Sequence, residues 1–471
     1  MKKNTLILSC LALSLFAFNA CKSDDSDPID DTTVDPTDDY VPIEISAELD
    51  NGEGFQDETI ELQVLLNDAN VPADGTLTLG AAQTGTLTVQ DVNNTPNNIT
   101  DDIVIYTPNA NTYSESDSFQ YTVCDAEGLS CDTGDVALKI FRPIAANNLD
   151  AMPFATLSEY NFFYSDLKNQ EAVPGVLPYE PISSLFSDYA KKKRFVWMPE
   201  GVSATYNADG ALLDFPEGTV IVKSFYYDNV LPSGNTQIIE TRLLIKKEGA
   251  WVFADYIWDS AQQEAFLDTA EDGGTVDLSW IQDGVERTVE YRIPSTSQCF
   301  TCHKSFGNAI PIGVKPQNLN GLYDFNDGES NQLQKWIEIG YLEDNLPGNI
   351  NTVVDYHDES EDLDLRVRSY LDINCASCHM DGGHCDYRSL RFEFNMTEDP
   401  NNLGICIDPD TPIDGFSKLV APGDADSSVL FFRISTEDEQ YRMPLLGRTL
   451  VQDDGVALVR EWIESLSETC N

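Results

Sequence analysis

The sequence predicts a multidomain protein: an all-β sandwich, then a β-rich domain, then a mostly α region. Three observations predict it. Between residues 41 and 145, short runs of alternating apolar and polar residues recur between Asn, Asp, Gly and Pro, the pattern of half-buried strands joined by tight turns. From 150 to 297 the strand-like runs lengthen, as in FPEGTVIVKSFYY, ETRLLIKKEGAWVFADYIW, GTVDLSWI and RTVEYRIP. After 298 the period changes. Val367, Tyr370 and Leu371, and later Val456, Val459, Trp462, Ile463 and Leu466, fall at helical spacing, and a shorter helix is expected from Gln332 to Leu342. A chain of 471 residues, 41% of them hydrophobic, is long enough for about two or three such units.

The first twenty residues read as a targeting signal. Lys2 and Lys3 precede an apolar stretch that reaches Phe18, and small residues lead to Cys21. The segment FNAC resembles the lipobox of Gram-negative bacterial lipoproteins. That resemblance implies acyl chains on Cys21 and an outer-membrane lipoprotein, facing the cell surface or the periplasm. The alternative is an ordinary secretory signal with an incidental Cys. Residues 21–40 are Asp-rich and lack apolar periodicity, so they read as a solvated tether. An acidic stretch at this place also resembles the surface-export signal of some outer-membrane lipoproteins. The whole chain carries 80 Asp and Glu against 28 Lys and Arg, a formal charge of -52. Such a surface repels nucleic acid and anionic lipid, so no nucleic-acid partner is expected and membrane contact falls to the lipid anchor.

In the first unit, residues 41–145, Phe119, Tyr121 and Val123 share one strand face, and Val136, Leu138 and Ile140 another. About seven strands in a segment of this length predict a β-sandwich. The stretch YTPNANTYSESDSFQYTVCD and the strand after it resemble the cadherin-like, immunoglobulin-like repeats of bacterial surface proteins, which implies a spacer or adhesion module. Cys124 and Cys131 flank a turn, and a local disulfide is expected between them. The scattered Asp residues form no regular calcium loop.

Two segments carry chemistry. Residues 299–303 read CFTCH and residues 375–379 read CASCH. C-x-x-C-H is the attachment sequence of c-type haem. Two thiols so spaced reach both vinyl groups of one porphyrin edge and form thioethers. The adjacent His is directed under the ring to coordinate iron. Two haem c groups are therefore expected, on Cys299 and Cys302 with His303, and on Cys375 and Cys378 with His379. A four-Cys zinc site is the competing reading, but zinc ribbons place their pairs closer and need no His. A redox-active C-x-x-C would sit in a thioredoxin-like context, which is missing. Met443, before Pro444 in a turn-rich loop, is the expected sixth ligand of the second haem, a Met/His pair that raises the potential. Met380 is too near His379 to serve. The first site is less regular: a strand-like VEYRIPSTSQ precedes it, and its sixth ligand would be His357, Met198 or none. The basic run KKKRF at 191–195 reads as a solvated turn or, alternatively, as a face toward haem propionates or an acidic partner. Cys385 and Cys406 are expected to form a disulfide, leaving Cys470 over.

From about residue 158 to the end, the chain resembles a group of bacterial di-haem c-type cytochromes of unknown specific role. GVLPYEPISSLFSDYAKKKRFVWMPEG, QCFTCH, PIGVKPQNLN, YLDINCASCH, VAPGDADSSVLFFRI and MPLLGRTLV carry the resemblance, over about two-thirds of the chain. It implies a family-specific β-rich domain (150–297), a first haem segment (298–350) and a second, cytochrome c-like haem domain (351–471). It also implies electron transfer with a redox partner protein not named by the sequence, and no established substrate. The sandwich, the tether, His384 and the Cys385–Cys406 pair fall outside that pattern. Two other functions remain open at this point: a haem enzyme, peroxidase- or oxidase-like, at an open first haem, and a surface binding protein with structural metal.

Overall fold

The computed structural model describes residues 40–470. Cys21, the signal segment and the tether up to residue 39 lie outside them. Among the described residues no helix is long and apolar enough to cross a membrane.

The first unit is a seven-stranded sandwich. One sheet joins β1 (Asp50–Phe55), β7 (Cys131–Phe141), β6 (Ser114–Cys124) and β3 (Thr76–Leu79) in that order; the other joins β2 (Ile60–Leu62), β5 (Asp102–Pro108) and β4 (Gly85–Asp91). β1 runs parallel to β7 and the remaining pairs are antiparallel. Strand alternation sends Phe119, Tyr121, Val123, Val136, Leu138 and Ile140 into the space between the sheets, where all are buried. Gly134 is a packing requirement: a Cβ there would run into the Tyr121 ring. The Cys124–Cys131 disulfide ties the end of β6 to the start of β7, as expected.

Phe141, at the end of β7, enters the core of the next unit and packs with Phe162, Trp197 and Tyr256. That unit is built on an antiparallel sheet. After a small hairpin, β8 (Phe163–Tyr164) with β9 (Glu171–Ala172), the sheet runs β10 (Leu177–Pro178), β11 (Lys191–Trp197), β12 (Val220–Val230), β13 (Asn235–Lys247), β14 (Ala250–Trp258), β15 (Ala265–Leu267). β16 (Gly274–Gln282) pairs with β12 and with β17 (Val285–Ile293). KKKRF is therefore a strand, not a solvated turn. Of its four basic residues only Lys191 is exposed, and Arg194 is buried and paired with Glu180.

The region after 298 is less helical than the expected mostly α fold. α1 (Thr296–Cys302), α2 (Pro316–Leu319), α3 (Gln332–Glu338), α4 (Leu363–Leu371), α5 (Val429–Ser435) and α6 (Asp453–Ser465) are short, and two hairpins, β18 (Lys304–Ser305) with β19 (Asn308–Ala309) and β20 (Leu322–Phe325) with β21 (Gly328–Asn331), interrupt them. Much of the rest is turns. Segments such as MTEDPNNLG and DPDTPIDG are rich in Pro, Gly, Asn and Asp, which end helices and favour turns. A mostly α region is thus not what forms; α4, α5 and α6 pack instead around one apolar cluster that includes Val367, Leu371, Phe431, Val459, Trp462 and Ile463.

Hydrogen bonds join this part to the sheet unit. The Glu180 amide donates to Gln332 Oε1 at 2.8 Å, Ser183 Oγ to the Val354 carbonyl at 2.6 Å, and the Thr449 amide to Asp188 Oδ1 at 2.6 Å.

Candidate metal centres

The second Cys-x-x-Cys-His segment grows out of α4. Asp362 caps that helix by accepting from the Asp364 and Leu365 amides. The helix then widens into a π-turn, Asp372–Ala376, which carries Cys375. Such insertions recur at functional sites because they redirect side chains within a helix. Buried Asp372 fixes the turn by accepting from Lys315, Gln317, Asn318 and the Phe394 amide. The role of the KPQN run is thereby explained: α2 is the clamp on the turn before CASCH. Asn374 adds a second hold, accepting from the Phe186 amide at 2.8 Å.

Cys375, Cys378, His379 and Met443 line one cavity of about 320 Å³. Leu390, Phe392, Leu403, Leu419, Leu430 and Ile434 make much of its wall apolar, and Arg388 and Arg433 supply positive charge. Its size is that of a small-molecule or cofactor site. His379 has no protein hydrogen bond on its ring among the described residues, and its buried Nδ1 is orphaned. Burial, then Arg391, Arg388 and Arg433, push the ring down to about 4, so it is neutral at pH 7, the form that ligates metal. The Met443 loop is pinned on both sides. Its amide donates to the Arg433 carbonyl at 2.9 Å, and its own carbonyl accepts from Arg448 Nε at 2.9 Å. Buried Arg448 also donates to the Arg433 and Thr436 carbonyls, locking the loop to α5. A thioether, a neutral imidazole, two thiols and an apolar slot with two guanidiniums fit a covalently held haem.

The first segment lies on α1, which sequence reasoning extended as strand. The signal for the helix was in the sequence: Ser295 and Gln298 form a reciprocal capping box. His303 ends the helix, and its Nδ1 lies 2.9 Å from the Ile310 carbonyl. A donor bond from Nδ1 to a carbonyl leaves Nε2 as the free ligating nitrogen. Burial, then Lys223, push His303 down to about 3. Its ring meets Phe253 of β14 edge-on at 5.6 Å.

The fold brings the two segments together. Cys302 lines the second cavity together with Cys378, and Cys378 Sγ lies 3.9 Å from the Thr301 carbonyl. The four motif cysteines and Cys385 are free thiols. Among the described residues, no three His, Cys, Asp or Glu are grouped to hold a bare metal ion.

Three expectations are corrected. Cys406 pairs with Cys470, not Cys385, because the chain after α6 returns to Cys406 while Cys385 stays against the second cavity. His357 is not poised as a ligand: Nδ1 bonds Asp355 at 3.1 Å and Nε2 bonds Asp454 at 3.0 Å. Met198 is a buried core residue packed with Leu213, Trp336 and Tyr341.

The His357 pairing makes a pH prediction. Hydrogen bonds from Asp355 and Asp454 raise His357 from 6.5 to about 9. The folded value lies above the unfolded one, so the stabilisation is complete below pH 6.5 and is lost as pH rises through about 9. The site is half-exposed, so the effect is expected to stay below about 1 kcal/mol. Denaturant unfolding of His357→Gln and the parent should differ at pH 6 and converge near pH 10.

Residues 23–139 match the family model for a bacterial Ig domain, in keeping with the seven-stranded sandwich. No curated protein matches the chain. Among solved structures, the chain is similar to a chimeric titin Z1Z2 functionalized with a KLER exogenous peptide from decorin, at 10% identity over 52% of this chain and 92% of that one, with a TM-score of 0.14. It is also similar to the titin domains Z1Z2 in complex with telethonin, at 8% identity over 55% and 98%, with a TM-score of 0.14.

Proposed function

We propose that this protein is a di-haem c-type cytochrome, held at the outer membrane by lipid on Cys21, that passes electrons between redox partner proteins. The observation that carries the reading is the single cavity lined by Cys375, Cys378, His379 and Met443. Haem iron, when bound, supplies a one-electron ferric/ferrous couple. The chain's residues do the rest. Cys375 and Cys378 fix the porphyrin edge, and neutral His379 offers a ring nitrogen. Met443, on its pinned loop, offers a thioether of the kind that raises the potential. Arg388 and Arg433 answer the propionates, and the Leu and Phe wall excludes water. At the other site Cys299, Cys302 and His303 repeat the arrangement. Electron exchange between the two sites is supported by Cys302 and Cys378 lining one cavity, which brings the two points of attachment close together. No substrate bond is made or broken: one electron arrives from a donor and leaves to an acceptor. The sandwich serves as a spacer between anchor and redox part.

The test is a pyridine haemochrome spectrum with a haem count per chain, on protein from a host with c-type maturation machinery. Two covalent haems support the reading, and none overturns it in favour of zinc. A second reading, a peroxidase- or oxidase-like enzyme, is favoured by one observation: His357 and Met198 are both committed elsewhere, which favours an open first iron. A wholly low-spin resting spectrum, unmoved by cyanide, would sink it.

A further inference from the structure

One face of the central sheet carries a band of charge where the pattern calls for a core. The register places Arg194 of β11 beside Lys223 of β12, Lys223 beside Arg242 of β13, and Arg242 beside Asp255 of β14. Lys192 lies two residues before Arg194 and so shares its face. Apolar clusters flank the band, Val196, Ile221 and Leu244 on one side and Phe225, Tyr227 and Tyr291 on the other. Like charges in adjacent register repel, and repulsion grows where water is scarce. Only two of the four cations have a carboxylate: Arg194 pairs with Glu180, and Arg242 with Glu240, which also accepts from Tyr291. Lys192 has only the carbonyls of Leu185 and Ala190, at 2.9 and 2.6 Å. Lys223 has no ion pair or hydrogen bond among the described residues; its ammonium lies 5.0 Å from the Phe225 ring centre. The Asp255 carboxylate is enclosed with neither oxygen partnered, and burial beside Glu240 pushes it up, toward the neutral acid.

The first Cys-x-x-Cys-His segment lies over this band. His303 stands edge-on to Phe253, two residues from Asp255 on β14, and feels Lys223 and Arg242. Cys299 feels Arg242, Asp255 and Glu240. Burial, then the neighbouring guanidiniums, push Lys192 down to about 7 and Lys223 well below its ordinary value, so both lack an anion that would hold their charge. Two such lysines near an attachment segment for a dianionic cofactor define a complementary seat. We infer that Lys192 and Lys223, backed by Arg194 and Arg242, bind the two propionates of the haem held by Cys299 and Cys302. This rests on the haem reading proposed above and assigns to that site residues from three strands of the sheet.

The experiment compares the full chain, matured with haem, with Lys223→Met, Lys192→Met and Lys223→Arg. Potentiometry follows both haems, and resonance Raman follows the propionate bending bands. Losing a buried cation favours the ferric state. Each Met variant is expected to shift the first haem's ferric/ferrous equilibrium at least tenfold, which is about 59 mV downward for one electron. The second haem should not move, the propionate bands should shift, and Lys223→Arg should restore both readouts. If Lys223→Met does not fold, Lys192→Met decides alone. Two haems with unchanged first-haem potential and unchanged propionate bands would overturn the seat. A parent protein without haem at Cys299 and Cys302 would instead overturn the underlying reading.

Discussion

Replacing Met443 by Ala is expected to lower the potential of the second haem by roughly 0.1–0.3 V, a fraction of the about 0.8 V over which axial ligands tune haem. The haem count should stay at two, because the thioether bonds depend on Cys375 and Cys378 alone. Spectroelectrochemistry of the matured protein gives the potential, and the low-spin fraction reports the lost ligand. An unchanged potential would mean that Met443 is a wall residue of the cavity and no more. Arg448→Ala is a useful companion. Arg448 holds the Met443 carbonyl and ties the loop to two carbonyls at the end of α5. Its loss should leave the second haem a mixture of ligated and unligated states, rather than uniformly shifted.

The second large effect concerns stability. The Cys406–Cys470 disulfide closes a loop with a separation of 64 residues, spanning the Met443 loop, α5 and α6. By the loop-entropy relation, opening it should lower the unfolding free energy of this part by about 4 kcal/mol. Cys470→Ser should therefore unfold at markedly lower denaturant concentration, and reduction of the parent should reproduce the loss. Cys385→Ser, a control, should leave that midpoint nearly in place. The opposite ranking of the two variants would restore the Cys385–Cys406 pairing that the sequence suggested.

Cys385 and Cys406 are near in sequence, and proximity was the only guide. Cys470 reaches Cys406 because α6 buries Val459, Trp462 and Ile463 against α4 and α5 and so returns the chain end to this cluster. His357 failed as a ligand for a similar reason. Its second partner, Asp454, lies 97 residues along the chain at the start of α6, beyond the reach of local pattern. A run of charges such as KKKRF is usually solvated, which favours a turn over the alternative of a face toward propionates or an acidic partner. Strand alternation turned Lys192 and Arg194 inward, and only the register with β12 and β13 revealed the cations beside them.

What the sequence by itself determined is local chemistry and local period. The spacing in CFTCH and CASCH, the alternation around Phe119 and Val136 and the short Cys124–Cys131 link all rest on residues a few positions apart. The sandwich and the local disulfide follow from such patterns because strand period and turn chemistry act over short spans. The tertiary structure alone decided which distant groups meet: Cys302 and Cys378, and Met443 and His379, in one cavity, Cys406 with Cys470, and Lys223 and Arg242 near His303. The physical reason is that a buried thiol or ammonium is defined by its neighbours across strands and helices, and those are set by packing and register rather than by the sequence on either side of it.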